Sequence, residues 1–270
     1  MKVAFQGEKG AYSEMAVYKF FGKNVEVKPC RDFKDVFESV KKQETEHGVV
    51  PIENSLEGSV NQTYDLFLLY DLKVCGEVIV RVSHCLLTNQ GTSINQIKTV
   101  YSHPQALAQS RNFLEKSGWE LIPTYDTAGS AKMLKEKGLK DAAAVASERA
   151  AEIYGLKILA REIEDNPNNY TRFFILSKTD APITGKDKTS IIFSATHRPG
   201  SLYQAIGEFA KRNISLTRIE SRPTKETPWE YNFYLDFEGH RTEPRCVEAL
   251  EALQKYSVFV KILGSYPKAA

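Results

Sequence analysis

The chain has 270 residues, 42% apolar and 26% charged, with 36 Lys and Arg against 34 Asp and Glu for a formal net charge of +2. That length allows two domains and that composition a packed core without staples, while the near-neutral balance gives no basis for nucleic-acid or membrane-surface binding. The four cysteines, Cys30, Cys75, Cys85 and Cys246, are scattered, no apolar run reaches 18 residues, and the start MKVAFQGEKG leads into a strand pattern. These features are expected of a cytoplasmic protein with reduced thiols.

In chain order, Val3 to Gln6 reads as a strand, followed by a Gly7/Gly10 loop and a helix from Ser13 to Phe21 stopped by Gly22. Phe33, Val36, Phe37 and Val40 keep helical spacing behind Asp32, a good N-cap. Val49 to Ile52 is a short strand ending in the loop Glu53-Asn54-Ser55, and a helix carries Val60, Tyr64, Phe67 and Leu68. Alternation predicts a strand over 78–83 and another over Thr99 to Ser102. Pro104 opens a helix running to Lys116, with Gly118 beyond its end. Trp119 to Tyr125 and Ala142 to Ala146 read as strands leading into helices near Thr127 and Ser147, and Thr171 to Ser177 is the last strand of the region. Strands alternating with helices in this way predict an α/β architecture with mostly parallel sheets.

Residues 179–188 (TDAPITGKDK) read as a linker. The remaining pattern, with strands at 189–195, 214–220, 230–237 and 258–263 and helices from Pro199-Gly200 and over Glu243 to Tyr256, is the β-α-β-β-α-β order of a ferredoxin-like unit.

In α/β sheets ligands bind beyond the C-terminal strand ends, where helix N-termini offer free N–H groups to anions. The predicted turns there carry Tyr12-Ser13, Asn54-Ser55, Ser102-His103, Thr127 with Ser130, Ser147 and Thr171-Arg172. A Ser or Thr at a helix start is most often a cap worth about 1 kcal/mol and nothing more. The set together, rich in hydroxyls and amides, predicts a cleft for a small anion, with Arg172 available for a bidentate contact to a carboxylate. The five histidines have no metal-ligand spacing, and there is no G-x-S-x-G, Walker or G-x-G-x-x-G motif, so neither metal nor cofactor is expected.

At these turns the sequence resembles the prephenate dehydratases, including the related arogenate dehydratases. The matching stretches are VAFQGEKGAYSE (3–14), VVPIENSLEGSV (49–60), SHPQALAQ (102–109), DTAGSA (126–131), AAVASERAAEIYGL (143–156) and NYTRFFIL (169–176). The C-terminal part resembles an ACT domain through KTSIIFS (188–194) and Glu220-Ser221-Arg222-Pro223.

The resemblance implies a catalytic domain over 1–178 built like a type II solute-binding protein. Lobe one would take about 1–80 and 161–178 and lobe two about 81–160, with an ACT regulatory domain over 189–270. It implies catalytic roles for Thr171, Arg172 and Phe173, the family's threonine being essential, and substrate binding by Ser13, Asn54, Ser55, Ser102 and Thr127. It further implies prephenate or arogenate as substrate and L-phenylalanine as allosteric effector. The effector would be held by Gly200, Ser201, Leu202, Glu220, Ser221, Arg222 and Pro223 in a homodimer or homotetramer. Where the family's effector motif reads Gly-Ala-Leu-Val, this chain has Gly200-Ser201-Leu202-Tyr203, and the larger Tyr203 either narrows the pocket or packs on the sheet. The rival readings are a solute-binding module that leaves its ligand intact and a purely regulatory protein. Incubation with prephenate separates both from the enzyme.

Overall fold

The computed structural model describes residues 1–224 and 227–269. The chain divides into two compact units, Met1–Leu68 with Val78–Phe173 and Leu69–Glu77 with Phe174–Ala270.

The first unit begins with β1 (Lys2–Gln6), α1 (Tyr12–Phe21), β2 (Glu26–Cys30), α2 (Phe33–Lys41), β3 (His47–Asn54), β4 (Gly58–Ser59), α3 (Asn61–Leu69) and β5 (Lys73–Arg81). It continues through β6 (Cys85–Thr88), β7 (Thr99–Ser102), α4 (Pro104–Gln109), α5 (Arg111–Leu114), β8 (Glu120–Pro123), α6 (Thr127–Glu136), β9 (Ala142–Ala146), α7 (Glu148–Tyr154), β10 (Lys157–Ala160) and β11 (Tyr170–Ser177). Two sheets result, one ordered β2-β1-β3-β11-β5 with β4 on β3, the other β10-β6-β9-β7-β8. The chain thus leaves the first sheet after Arg81 and returns to it at Tyr170; β5 and β11 run on from one compact unit into the other.

The apolar periodicities account for both cores. Val3, Ala4, Phe5, Val49, Val50 and Ile52 are fully buried, as are Val36 and Phe37 of α2, and Phe37 meets Phe67 edge-on. Each of the Val, Ile and Phe side chains contributes about 1.5–3 kcal/mol by leaving water. In the second sheet β9 is AAAVA, buried at every position, as expected of a central strand covered on both faces. Gly10 fixes the turn after β1: its φ is +92°, and a Cβ there would stand 2.8 Å from the Ala150 Cα. Only glycine fits.

Several boundaries differ from the sequence expectation. Asn54 closes β3 and is not in a loop. The helix expected from Pro104 to Lys116 breaks at Ser110, because the returning chain takes its hydrogen bonds. Asp165 N donates to Gln109 O (2.7 Å), and Asn112 N donates to Asp165 Oδ1 (3.1 Å). Strands β6 and β10 have no counterpart in the reading; both are only four residues long and lack alternation. Helix α6 begins at Thr127 as read, with Asp126 as its cap. Asp187 and Lys188, read as linker, already belong to the next strand.

The second unit adds β12 (Asp187–Ala195), α8 (Ser201–Ala210), β13 (Leu216–Pro223), β14 (Tyr231–Glu238), α9 (Pro244–Gln254) and β15 (Ser257–Pro267). This is the β-α-β-β-α-β order read from the sequence, folded as an antiparallel sheet ordered β13-β14-β12-β15. Phe209, Phe237, Leu253 and Ile191 centre the core beneath α8 and α9. Part of this sheet is covered by residues 69–77 and by Phe174 of the same unit. Gly264 of β15 lies so close to Val74 that a Cβ would sit 2.1 Å from the Val74 carbonyl oxygen. Lys188 pairs with the buried Glu77 (2.9 Å), and Tyr266 packs edge-on against Phe174. Strand β13 stands at the edge of the sheet.

Candidate active site

The C-terminal ends of β1, β3 and β7 and the starts of α1, α2 and α6 enclose a cleft of about 510 Å³ within the first unit. Phe33, Pro51, Val60 and Phe173 supply an apolar wall, while Ser13, Gln62, Gln105, Thr127 and Thr171 supply neutral polar groups. Of the expected site residues, Ser13, Thr127, Thr171 and Phe173 therefore converge.

Thr171 is held by a network that no local motif announces. Leu56 N and Glu57 N both donate to Asn54 Oδ1 (3.0 Å each), which fixes the amide orientation. Asn54 Nδ2 then faces Asn169 Oδ1 (2.7 Å) and Thr171 Oγ1 (3.0 Å) and donates to them. Because Thr171 Oγ1 accepts here, its own proton stays available toward the cleft. Asn169 Nδ2 donates to Gln109 Oε1 (2.9 Å), and His84 Nε2 lies 3.2 Å from that same oxygen. His84 Nδ1 meets the Tyr12 hydroxyl (3.1 Å), which donates to Ser83 O (2.6 Å) and lines the cleft. The ends of β3 and β11 are thus tied to α4, to the segment leading into β6 and to the start of α1. Burial holds the Tyr12 phenol well above its usual range, so it remains a donor, and burial lowers His84 below the usual imidazole range.

On the opposite wall Asp126 caps α6, accepting from Gly129 N and from Glu8 N (3.2 Å). Burial raises its carboxyl above the usual range against the pull of those two N–H groups. His103, whose Nδ1 accepts from Gln105 N (3.3 Å), is lowered by burial, with Asp126 opposing. Glu8 also accepts from Tyr125 Oη (3.1 Å) and pairs with Lys132 (3.1 Å), and Ser147 Oγ donates to Gly10 O (2.6 Å). The β1–α1 turn is thereby strapped to the second sheet's helices. Among the described residues no group of three or more His, Cys, Asp or Glu is arranged to hold a metal ion, and no helix is long and apolar enough to cross a membrane.

Three expected site residues are placed elsewhere. Ser102 is fully buried and donates to Val145 O (2.6 Å), a sheet-stabilising bond. Ser55 Oγ donates to Asn168 O and accepts from Tyr170 N (2.9 Å each), pinning the start of β11. Arg172 does not line the cleft, since strand alternation turns it away from its neighbours Thr171 and Phe173, and its Nη2 stands 3.1 Å from Glu53 Oε2. The Arg or Lys on the cleft lining is instead Arg31, just before the N-cap of α2.

In the second unit a separate hollow of about 560 Å³ is lined by Ser201 and Leu202, by Trp229, Tyr231 and Phe233, and by the 194–199 turn. Gly200 is the N-cap of α8 with φ +82°. Glu220 to Pro223 lie on the edge strand β13, where Arg222 is buried and Glu220 pairs with Arg218 (2.5 Å). Tyr203, expected to narrow the pocket or pack on the sheet, is 78% exposed and lies outside the hollow's lining.

A cleft lined by hydroxyls and amides, by Asp32, His103 and Asp126 and by one guanidinium, in a two-sheet α/β unit, joined to a βαββαβ unit with its own hollow, defines an enzyme for a small organic acid with a ligand-binding appendage. The chain belongs to the prephenate dehydratase family: residues 3–181 match the prephenate dehydratase model and residues 189–254 the ACT domain model. It is 44% identical over 271 residues to the bifunctional chorismate mutase/prephenate dehydratase of Aquifex aeolicus, covering 100% of this chain and 74% of that one. It is 45% identical over 279 residues to the chloroplastic arogenate dehydratase/prephenate dehydratase 2 of Arabidopsis thaliana, covering 99% and 73%. Among solved structures, a prephenate dehydratase from Arthrobacter aurescens in complex with L-Phe superposes with a TM-score of 0.90 at 33% identity, over 99% of this chain and 90% of that one. A protein described as a novel type of quorum quenching acylase gives the same TM-score at 36% identity, over 100% and 98%.

Proposed function

We propose that the first unit converts prephenate to phenylpyruvate, the precursor of L-phenylalanine, and that L-phenylalanine restrains this activity through the ACT domain. In the reaction the bond from the ring carbon to its carboxylate breaks, releasing CO2. The electron pair moves through the ring, which becomes aromatic, and expels the ring hydroxyl as hydroxide, which takes up one proton to become water. Aromatisation drives the step, so the protein has to hold a dianion and ease the departure of hydroxide.

The observation that carries this reading is the hydrogen bond from Asn54 to Thr171. A threonine hydroxyl is a poor acid, but one whose oxygen already accepts a bond presents its proton to the leaving oxygen. Thr171 is assigned that donation, Asn54 its orientation, and Phe173 the packing of the ring. Ser13 and Thr127 are assigned to the substrate's oxygens. Ser55, Ser102 and Arg172 act at a distance, by fixing the strands that present Thr171.

For control, the N–H groups of Gly200 and Leu202 are assigned to the effector's carboxylate, Ser201 N donating to Arg198 O (3.1 Å), and the edge strand at Glu220 to Pro223 to contact with a second copy in a homodimer or homotetramer. Such coupling is typically worth about 1–3 kcal/mol.

Arogenate, which bears an amine in place of the side-chain keto group, is the alternative substrate, in keeping with the double name of the Arabidopsis relative. Side-by-side kinetics on the two substrates test the assignment. A kcat/KM higher for prephenate supports it, and conversion of arogenate alone replaces it.

A further inference from the structure

We propose that Arg31 is the residue that selects the substrate's side chain, by binding the side-chain carboxylate that survives the reaction. The inference rests on the prephenate reading above and adds which of the two carboxylates meets a cation.

Arg31 follows β2, whose end is fastened to the β1 turn by Gly7 N donating to Cys30 O (2.9 Å). Its neighbour Asp32 is occupied as the cap of α2, accepting from Asp35 N (2.9 Å). Among the described residues no carboxylate forms an ion pair with Arg31, and it is exposed. Arg31 and Asp32 belong both to the cleft and to an adjoining hollow of about 580 Å³, together with Gln6, Gly7 and Tyr125. Arg31 therefore stands where the cleft, with Phe33 and Phe173 on its lining, adjoins a second space.

Chemistry decides which carboxylate belongs there. The ring carboxylate loses its charge as it becomes CO2, so a cation beside it stabilises the ground state more than the transition state and slows the reaction. The side-chain carboxylate keeps its charge throughout, so pairing it with a cation strengthens binding at no cost to turnover. The cleft fits this division. Its lining offers the neutral donors Gln62, Ser13, Thr127 and Thr171, and among the described residues Arg31 is its one Arg or Lys. A guanidinium also matches a carboxylate fork in a way an ammonium does not.

Phenylpyruvate discriminates, because it retains the side-chain carboxylate and lacks the ring one. In the full-length chain, Arg31→Gln and Arg31→Lys are compared with the unaltered protein for prephenate KM, kcat, and inhibition by phenylpyruvate. Folding is checked by the thermal unfolding midpoint. The proposal predicts that Arg31→Gln raises the KM and the phenylpyruvate inhibition constant by the same factor, about 10- to 100-fold, with kcat within about threefold. Arg31→Lys should fall between. A raised KM with unchanged phenylpyruvate inhibition would place Arg31 on the ring carboxylate and overturn the proposal. Two unchanged constants would make Arg31 a solvated surface residue and overturn it equally. Failure of the unaltered chain to form phenylpyruvate at all would instead remove the underlying reading, and is visible before any variant is compared.

Discussion

The cleft of the first unit and the hollow of the second are of similar volume, about 510 and 560 Å³, yet they are built on different plans. In the first, the central hydroxyl is the end of a chain of amides, the buried Asn54 and Asn169 and the half-buried Gln109, each bonded to the next within 3 Å. In the second, the walls are aromatic and half open. Trp229 is 82% exposed and Val258 73%, and the neighbouring strand β13 stands at the edge of its sheet, paired with β14. A transition state is served by groups that need not move when charge develops, which requires a preorganised network complete within one chain. A regulatory site works by a difference in affinity between two arrangements, which an open pocket beside an edge strand permits.

The largest expected effect breaks the preorganised side. Thr171→Ala should lower kcat at least about 10²-fold while the unfolding midpoint stays near that of the parent. Parent-like turnover in the folded variant would remove Thr171 from its role.

Next comes the orienting amide. Asn54→Asp keeps the acceptor for Leu56 N and Glu57 N but replaces the donor with a carboxylate, so the Thr171 proton is drawn back from the cleft. A loss of about 10- to 100-fold in kcat with little change in KM is expected. Equal activity would show that the direction of that hydrogen bond does not matter.

On the second unit, Trp229→Ala should weaken inhibition by L-phenylalanine about 10-fold and leave uninhibited turnover within about twofold, since Trp229 lines only the second hollow. Unchanged inhibition would move the effector elsewhere.

Arg172→Lys should be milder. It disturbs the pairing with Glu53, costing about 1 kcal/mol of stability with KM shifted less than about threefold. A large rise in KM would return Arg172 to the substrate.

The smallest effect concerns pH. Burial depresses the pKa of His84 in the folded state, so folding is favoured above about pH 6.5, its ordinary value, and that stability is lost as pH falls through the depressed value. His84→Gln should flatten the acid side of the stability curve below about pH 6.5 in denaturant titrations. An unchanged curve would show that other groups set it.

Much of this was legible in the residues. The 3.6 periodicity located α2, a local consequence of one buried face, while β1 and β9 showed as short apolar runs buried at consecutive positions, and the element pattern carried the βαββαβ order. Thr171, Ser13 and Thr127 could be placed at one rim because strand ends and helix starts share a side in α/β sheets. The amide network was not legible. Asn54 and Asn169 are 115 residues apart and Gln109 is 60 from Asn169, so no spacing rule brings them together. Arg172 misled for a related reason. Its charge recommended it, but its position between two cleft-facing residues of a strand turned it toward Glu53. Arg31 and Asp126 carried signals of the right kind, a cation and a cap at helix starts, with nothing local to set them apart from ordinary surface and capping residues.

The most direct test is to incubate the purified full-length chain with prephenate in excess EDTA and quantify phenylpyruvate and CO2, with the Thr171→Ala variant alongside. The account predicts one phenylpyruvate and one CO2 per prephenate consumed by the parent, and a rate at least about 10²-fold lower for the variant. Intact prephenate with the parent, or equal rates for the two proteins, would contradict it.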